Sequence, residues 1–382
     1  MPRPAWRRGL VVALGAAVRG TTPLARTLTG AASRQAVPRC RGGSLTPRPK
    51  LKTLEQARAE LVDLQIPPEE LRVSNVFPSG QAFQWLSTAR APGGAGKGWL
   101  GTLGQRVLYV EERRHTTLAA CLTAEDSSAA WVPELRDYLN LEAGPPLAEL
   151  YRGWALADRG LASAAAVVPG VRALRQDPLE CLISFICSSN NNIRRIQLML
   201  SRLRQAYGNE LGELQMPSSA SNGESQGPDS LRFFSFPDLE QLCKATEEEL
   251  RGLGFGYRSA FVARSAAALR ARGGQRWLLG LRGRSWEEVK PELMQLQGVG
   301  PKVAACAALF SLDQPSVVPV DVHVWRIACR DYDDEGDIQG AKSLTPALGE
   351  RVARRLRDRF GPFAGWAHCV LFAAELRTPR SP

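Results

Sequence analysis

The chain predicts an α+β protein in which an antiparallel sheet comes first and helices make up the rest. Three observations carry this reading. Between about residues 70 and 118, apolar and polar residues alternate and turns are frequent, the period of strands whose side chains point to opposite faces. From Val132 onward the apolar spacing lengthens to three or four residues, that of a helix with one buried face. Late in the helical part, Gly298-Val299-Gly300 leads directly into Pro301 and Lys302, so a glycine hairpin joins two helices.

In chain order, strands are expected at residues 72–76, 82–85, 99–103 and 107–110, with a glycine-rich break at 92–98. Helices follow at 132–141, 147–151 and 178–188. The last is capped by Asp177 and opened by Pro178, whose missing N–H costs nothing there. After the polar run 188–192, Ile193, Ile196, Met199, Leu200 and Leu203 set another helix. Residues 217–230 (PSSASNGESQGPDS) are polar and aperiodic, a flexible insertion. The helix from Trp286 must kink or restart at Pro291. Beyond the hairpin, Val303, Cys306, Ala307 and Phe310 line one buried face. Asp321, after Pro319 and before a new apolar period, is a helix N-cap. The resulting division is a basic arm at 1–54, a sheet domain at 66–165 and a helical domain at 166–377, with the helix-hairpin-helix at 286–312.

The net charge of +11 invites a nucleic-acid reading, but eleven Arg and Lys fall in residues 1–54 with no acid before Glu55. The remainder is balanced, 38 basic against 38 acidic residues. An Arg-rich, acid-free arm with an apolar stretch at 10–18 has the features of a mitochondrial transit peptide. A secretory signal and a disordered arm that holds DNA electrostatically are the alternatives. Eight scattered cysteines without a Cys-x-x-Cys pair suit a reducing compartment, and three histidines give a metal site little support. No stretch is long and apolar enough to span a membrane.

Lys302 stands in the first turn of a helix, where unpaired N–H groups disfavour a further cation. Burial would push its amine the same way, toward the unprotonated form that attacks carbon. A surface lysine touching phosphate is the plainer alternative. A phosphate loop fits less well, because Val303 stands where that pattern needs Ser or Thr.

Hairpin, Lys302, Pro319 and Asp321 arrive in the order and spacing that resemble the helix-hairpin-helix superfamily of base-excision DNA glycosylases. Further segments narrow the resemblance to the eukaryotic 8-oxoguanine DNA glycosylase/lyase family. The resemblance covers most of residues 70–377. It implies an N-terminal TATA-binding-protein-like antiparallel sheet domain packed on an all-helical body. It also implies removal of 8-oxoguanine opposite cytosine from duplex DNA, then strand cleavage, by a monomer without cofactor or metal in nucleus and mitochondrion. Lys302 would be the nucleophile and Asp321 the stabiliser of the cationic sugar. Without the resemblance, Asp321 is a cap.

By the same resemblance, Gly80 would offer its carbonyl to the nitrogen protonated only in oxidised guanine. Cys306 and Phe372 would lie on the two sides of the purine. Without the family match, Gly80 is an ordinary turn and the other two are core residues. Asn190 and Arg195 match residues that recognise the partner cytosine. Tyr257 matches a wedge beside the gap left by the extruded nucleotide, and Arg258 a second cytosine contact. The plain reading of that turn is a helix stop with Tyr257 in the core. Gly298 and Gly300 would present backbone N–H groups to phosphate, and His323 would reach a phosphate or simply pack. The chain departs from the pattern at three places. His368 replaces a glutamine that reads the base-pairing edge, Gln84 an arginine and Gln297 a proline.

The scattered cysteines also lack the iron–sulfur cluster pattern of the endonuclease III and adenine-glycosylase branches. Two rival readings stand beside this one. One is another glycosylase of the superfamily, acting on adenine or alkylated bases; the other is a non-catalytic DNA-binding module.

Overall fold

The structure, a computed structural model, describes residues 49–88, 97–123, 127–216 and 230–377. The arm up to residue 48, most of the glycine-rich break and residues 217–229 of the insertion lie outside the described residues.

Five strands form an antiparallel sheet in the order β1-β5-β4-β3-β2: β1 (Val62–Asp63), β2 (Leu86–Ser87), β3 (Gly98–Leu103), β4 (Arg106–Glu112) and β5 (Thr117–Cys121). Helices α1 (Leu54–Ala59), α2 (Val73–Val76) and α3 (Ser128–Tyr138) accompany it. Strand β4 shows why the fold is stable. Leu108 and Val110 pack with Trp131, Leu135 and Tyr138 on one face, while Val107 and Tyr109 pack with Leu54 and Ala57 on the other. The sheet is therefore buried on both faces, and its alternation sorts two apolar sets instead of apolar from polar.

The second face is closed by a hairpin of β6 (Glu210–Gln215) and β7 (Ser230–Phe234), through Leu211, Leu214 and Phe233. The expected all-helical body thus carries one β-hairpin, framing the insertion. Around it stand α4 (Leu147–Ala157), α5 (Arg159–Val167), α6 (Pro178–Ile186), α7 (Ile193–Tyr207), α8 (Leu239–Leu242), α9 (Glu247–Gly252) and α10 (Arg258–Ala271). The rest are α11 (Gln275–Leu279), α12 (Trp286–Met294), α13 (Pro301–Ser311), α14 (Val322–Asp331), α15 (Pro346–Phe360) and α16 (Ala364–Arg377).

Several expectations need correcting. Of residues 72–76, all but Arg72 are helical: Val73, Asn75 and Val76 are buried, and the Glu112 carboxylate accepts the Ser74 N–H at 3.1 Å like a cap. Residues 82–85 are irregular because Ala82, Phe83 and Trp85 are all buried, leaving no alternation. Pro291 does not break α12; it sits exposed in the second turn. Helices α4 and α5 join the core of the helical body, so a division at 165/166 would cut through α5, and the cores part between α3 and α4. The arm's last residues also belong to the body. Lys50 bridges to Glu213, Leu51 to Thr123, and Thr53 caps α1.

Candidate active site

The hairpin between α12 and α13 is shaped by one glycine. Gly298 has φ +80°, and a Cβ there would lie 2.6 Å from the Phe261 ring, so both conformation and space demand glycine. The Ser265 hydroxyl donates to the Gln297 carbonyl at 2.8 Å and pins the turn to α10. Gly300 faces open space, leaving the backbone at the start of α13 accessible. Pro301 then places Lys302 at the second position of α13.

Lys302 Nζ donates to Ser188 Oγ at 3.1 Å and lies 5.1 Å above the Phe185 ring. Ser188 gives its own proton to the Phe185 carbonyl at 2.7 Å, so its lone pair is turned to the lysine. These partners are more than a hundred residues away in sequence, and no local signal pointed to them. Among the described residues no ion pair joins Lys302 to Asp321, yet both line one open cavity. Asp321 Oδ1 accepts the N–H groups of His323 at 2.9 Å and Val324 at 3.0 Å, the N-cap that the sequence implied.

The same cavity brings together Gly80, Cys306, His368 and Phe372 from three separate segments. Gly80 ends a short 3-10 turn in the left-handed conformation, φ +81°. Its neighbour Gln81 holds the loop still. Gln81 Nε2 donates to the Arg172 carbonyl at 3.2 Å, Oε1 accepts the Leu174 N–H at 3.0 Å, and Gln176 Nε2 donates to the Gln81 carbonyl at 2.9 Å. Gln81 and Gln176 were not singled out from sequence, where a buried amide looks like any other polar residue.

Cys306 sits one turn after Lys302 on the cavity side. Burial pushes its thiol up to about 11, with the Lys302 ammonium opposing, so it is a neutral wall. Phe372 touches two imidazoles, His323 at 6.0 Å edge-on and His368 at 6.0 Å with a 31° tilt. His323 therefore packs against Phe372 from the first turn of α14. His368 is buried, and burial lowers its pKa to about 4 against the pull of the Asp321 carboxylate.

A second group lies around the turn from Ser188 to Asn192. Asn191 donates to the Cys187 carbonyl at 2.9 Å, and Asn192 caps α7 through the Arg195 N–H at 3.0 Å. That leaves Asn190, exposed and left-handed at φ +46°, as the asparagine turned outward. Arg195 is exposed beside it. Tyr257 is 53% exposed, not core, and its hydroxyl donates to the Ser189 carbonyl at 3.0 Å. Arg258 departs from the expected outward contact. It is 2% exposed, stacks on Tyr257 at 4.4 Å and donates to the carbonyls of Ser189 and Asn190. In this structure it braces the turn that carries Asn190. Arg202 and Arg204 are also structural, bound to the Leu253 carbonyl and to Glu180 with Thr102.

The basic excess between Arg251 and Lys302 is largely neutralised from outside that run. Arg264 pairs with Glu247, Arg270 with Glu240, Arg282 with Asp313 and Lys290 with Glu350, while Arg272 and Arg284 pair with Glu292 and Glu288.

A glycine hairpin that sets a lysine at a helix start, with that lysine and a capped aspartate lining one cavity, is the arrangement expected of a helix-hairpin-helix base-excision glycosylase. Residues 183–353 match the family described as HhH-GPD superfamily base excision DNA repair protein. Residues 63–182 match the N-terminal domain of 8-oxoguanine DNA glycosylase. The chain is 39% identical to the N-glycosylase/DNA lyase OGG1 of Arabidopsis thaliana, covering 87% of this chain and 85% of that one. It is 31% identical to the N-glycosylase/DNA lyase of Saccharomyces cerevisiae, covering 82% and 85%. The solved structure of MBOgg1 in complex with a low-affinity DNA ligand superposes with a TM-score of 0.65 at 25% identity, covering 83% of this chain and 94% of that chain. The chain belongs to the 8-oxoguanine N-glycosylase/DNA lyase family.

Proposed function

We propose that the cavity takes an oxidised guanine extruded from duplex DNA in which it stood opposite cytosine, and that Lys302 cuts it from its sugar. The observation that carries this is the opening of Lys302 and Asp321 into one cavity whose walls are Gly80, Cys306, His368 and Phe372. As the free amine, Lys302 attacks C1′ while the bond from C1′ to N9 breaks and the electron pair leaves with the base, which takes up a proton. The attached amine then loses a proton and the C1′–O4′ bond breaks, O4′ taking up a proton, to give an open-chain iminium; this acidifies C2′, loss of that proton expels the 3′ phosphate, and water then releases the lysine. Asp321, fixed by its two cap bonds, stabilises positive charge on the sugar as the base departs.

The Gly80 carbonyl accepts from N7–H of the oxidised ring, and the lone pair of normal guanine at that place is repelled. Asn190 and Arg195 meet the partner cytosine, and Tyr257 props the gap. The N–H groups around Gly298 and Gly300 take phosphate. His323 either contributes there or serves only as a wall for Phe372. One copy of the chain suffices for the site, and the basic arm directs part of the protein to mitochondria besides the nucleus. Imaging of the full chain with a fluorescent tag at its C terminus tests that partition.

Borohydride reduction during incubation with a duplex holding 8-oxoguanine opposite cytosine tests the chemistry. A covalent adduct is expected, absent in Lys302→Gln, with excision slowed by about 10⁴-fold or more. Binding without any adduct supports the non-catalytic alternative and sinks the proposal.

A further inference from the structure

We propose that His368 reads the pairing edge of the extruded purine through one atom, Nε2, as acceptor of the N1–H of a guanine-type ring, so that this chain also excises 8-oxohypoxanthine. That base keeps N1–H and lacks only the 2-amino group. The inference rests on the assignment of the cavity to a flipped oxidised purine.

His368 sits on α16 one turn before Phe372, 7% exposed, and both line the cavity. Its Nδ1 is sealed from solvent without a hydrogen bond of good geometry, the Gly365 carbonyl three residues earlier being its polar neighbour. Nε2 is left as the nitrogen available to an occupant. Lys302 and Cys306 of α13, Asp321 at the start of α14 and Cys369 of α16 face the same space. With protonation pushed down to about 4, the ring is neutral near pH 7. A proton on Nδ1, toward the Gly365 carbonyl, makes Nε2 a lone-pair acceptor.

One lone pair takes one short hydrogen bond, so a guanine-type edge is read at a single donor. An adenine-type edge, with its own lone pair at N1, is repelled. Two further polar side chains of the lining, Gln81 and Ser79, are engaged elsewhere. The Gln81 amide is held by Arg172 and Leu174, and Ser79 donates to the Val76 carbonyl at 2.7 Å. An amide in place of His368 would differ, because its carbonyl oxygen has two lone pairs and can accept from N1–H and the 2-amino group together.

The test uses the full chain in single-turnover excision on duplexes with 8-oxoguanine or 8-oxohypoxanthine opposite cytosine, for wild type and His368→Gln. Wild type is expected to cut the two within about threefold of each other, and His368→Gln to prefer 8-oxoguanine by about tenfold, one hydrogen bond's worth. Comparing ratios between the two proteins cancels intrinsic leaving-group differences and any loss of folded fraction. A wild-type preference of tenfold or more, or the same ratio in both proteins, overturns the inference. Excision of 8-oxoguanine with 8-oxohypoxanthine refused sinks this inference alone, whereas no excision of either sinks the parent assignment.

Discussion

At the residue scale, His368 links the pocket to the stability of the fold. Its folded-state pKa of about 4 lies below the ordinary 6.5 because burial resists the charged ring. The unfolded chain therefore binds a proton more readily between those values. The sign follows: above pH 6.5 the group contributes nothing, and acidification from 6.5 to 4 costs stability, reaching about 3 kcal/mol. His368→Gln is expected to lose less stability than wild type over that window in denaturant titrations at several pH values; parallel acid limbs would refute it. Gln81 gives a second expectation. Gln81→Leu keeps the volume but leaves the buried Arg172 carbonyl and Leu174 N–H unpaired, costing about 3 kcal/mol. Because the same amide steadies Gly80, cutting of normal guanine should rise relative to 8-oxoguanine. A thermal melt and paired excision assays check both parts.

At the scale of elements, the start of α14 separates capping from charge. Asn caps nearly as well as Asp, so Asp321→Asn should stay within about 0.5 kcal/mol of wild type, while Asp321→Ala should lose about 1 kcal/mol. Both remove the carboxylate and are expected to slow excision by about 10²-fold or more. Equal activity in wild type and Asp321→Asn would reduce Asp321 to a cap. Helices of this kind were legible in the sequence because their ends carry local chemistry: Asp177 with Pro178, Pro301 after Gly300, and Asp321 all sit where the reading put them. The sheet was less legible. Its strands β3 and β4 emerged from alternation, but residues 72–76 and 82–85 are buried by tertiary packing on all sides, which erases any period. The β6–β7 hairpin was missed because its apolar residues were never set against a sheet face that needed covering.

At the scale of the whole molecule, the cavity joins segments near residues 80, 302, 321 and 370, a convergence that no local pattern contains. Cys306 and Phe372 look like core residues in isolation; helical spacing put Cys306 one turn from Lys302, and only the family resemblance brought Phe372 to the same pocket. Charge behaves in the same way. The run from Arg251 to Lys302 is basic in sequence, but folding brings acids to six of its ten cations. The exposed Arg194 and Arg195 form no ion pair among the described residues. The arm adds nine cations and no acid in residues 1–48. DNA affinity of the full chain and of residues 49–382 is therefore expected to differ in salt dependence. The shorter protein should show the shallower slope of log K against log salt, by about 0.9 for each arm cation that meets a phosphate. Its excision rate on saturated substrate should match the full chain, since the described site lies wholly beyond residue 48. Titrations of labelled duplex from low to moderate salt measure the slope. Identical slopes would mean that the arm does not touch DNA, and would leave targeting as its purpose.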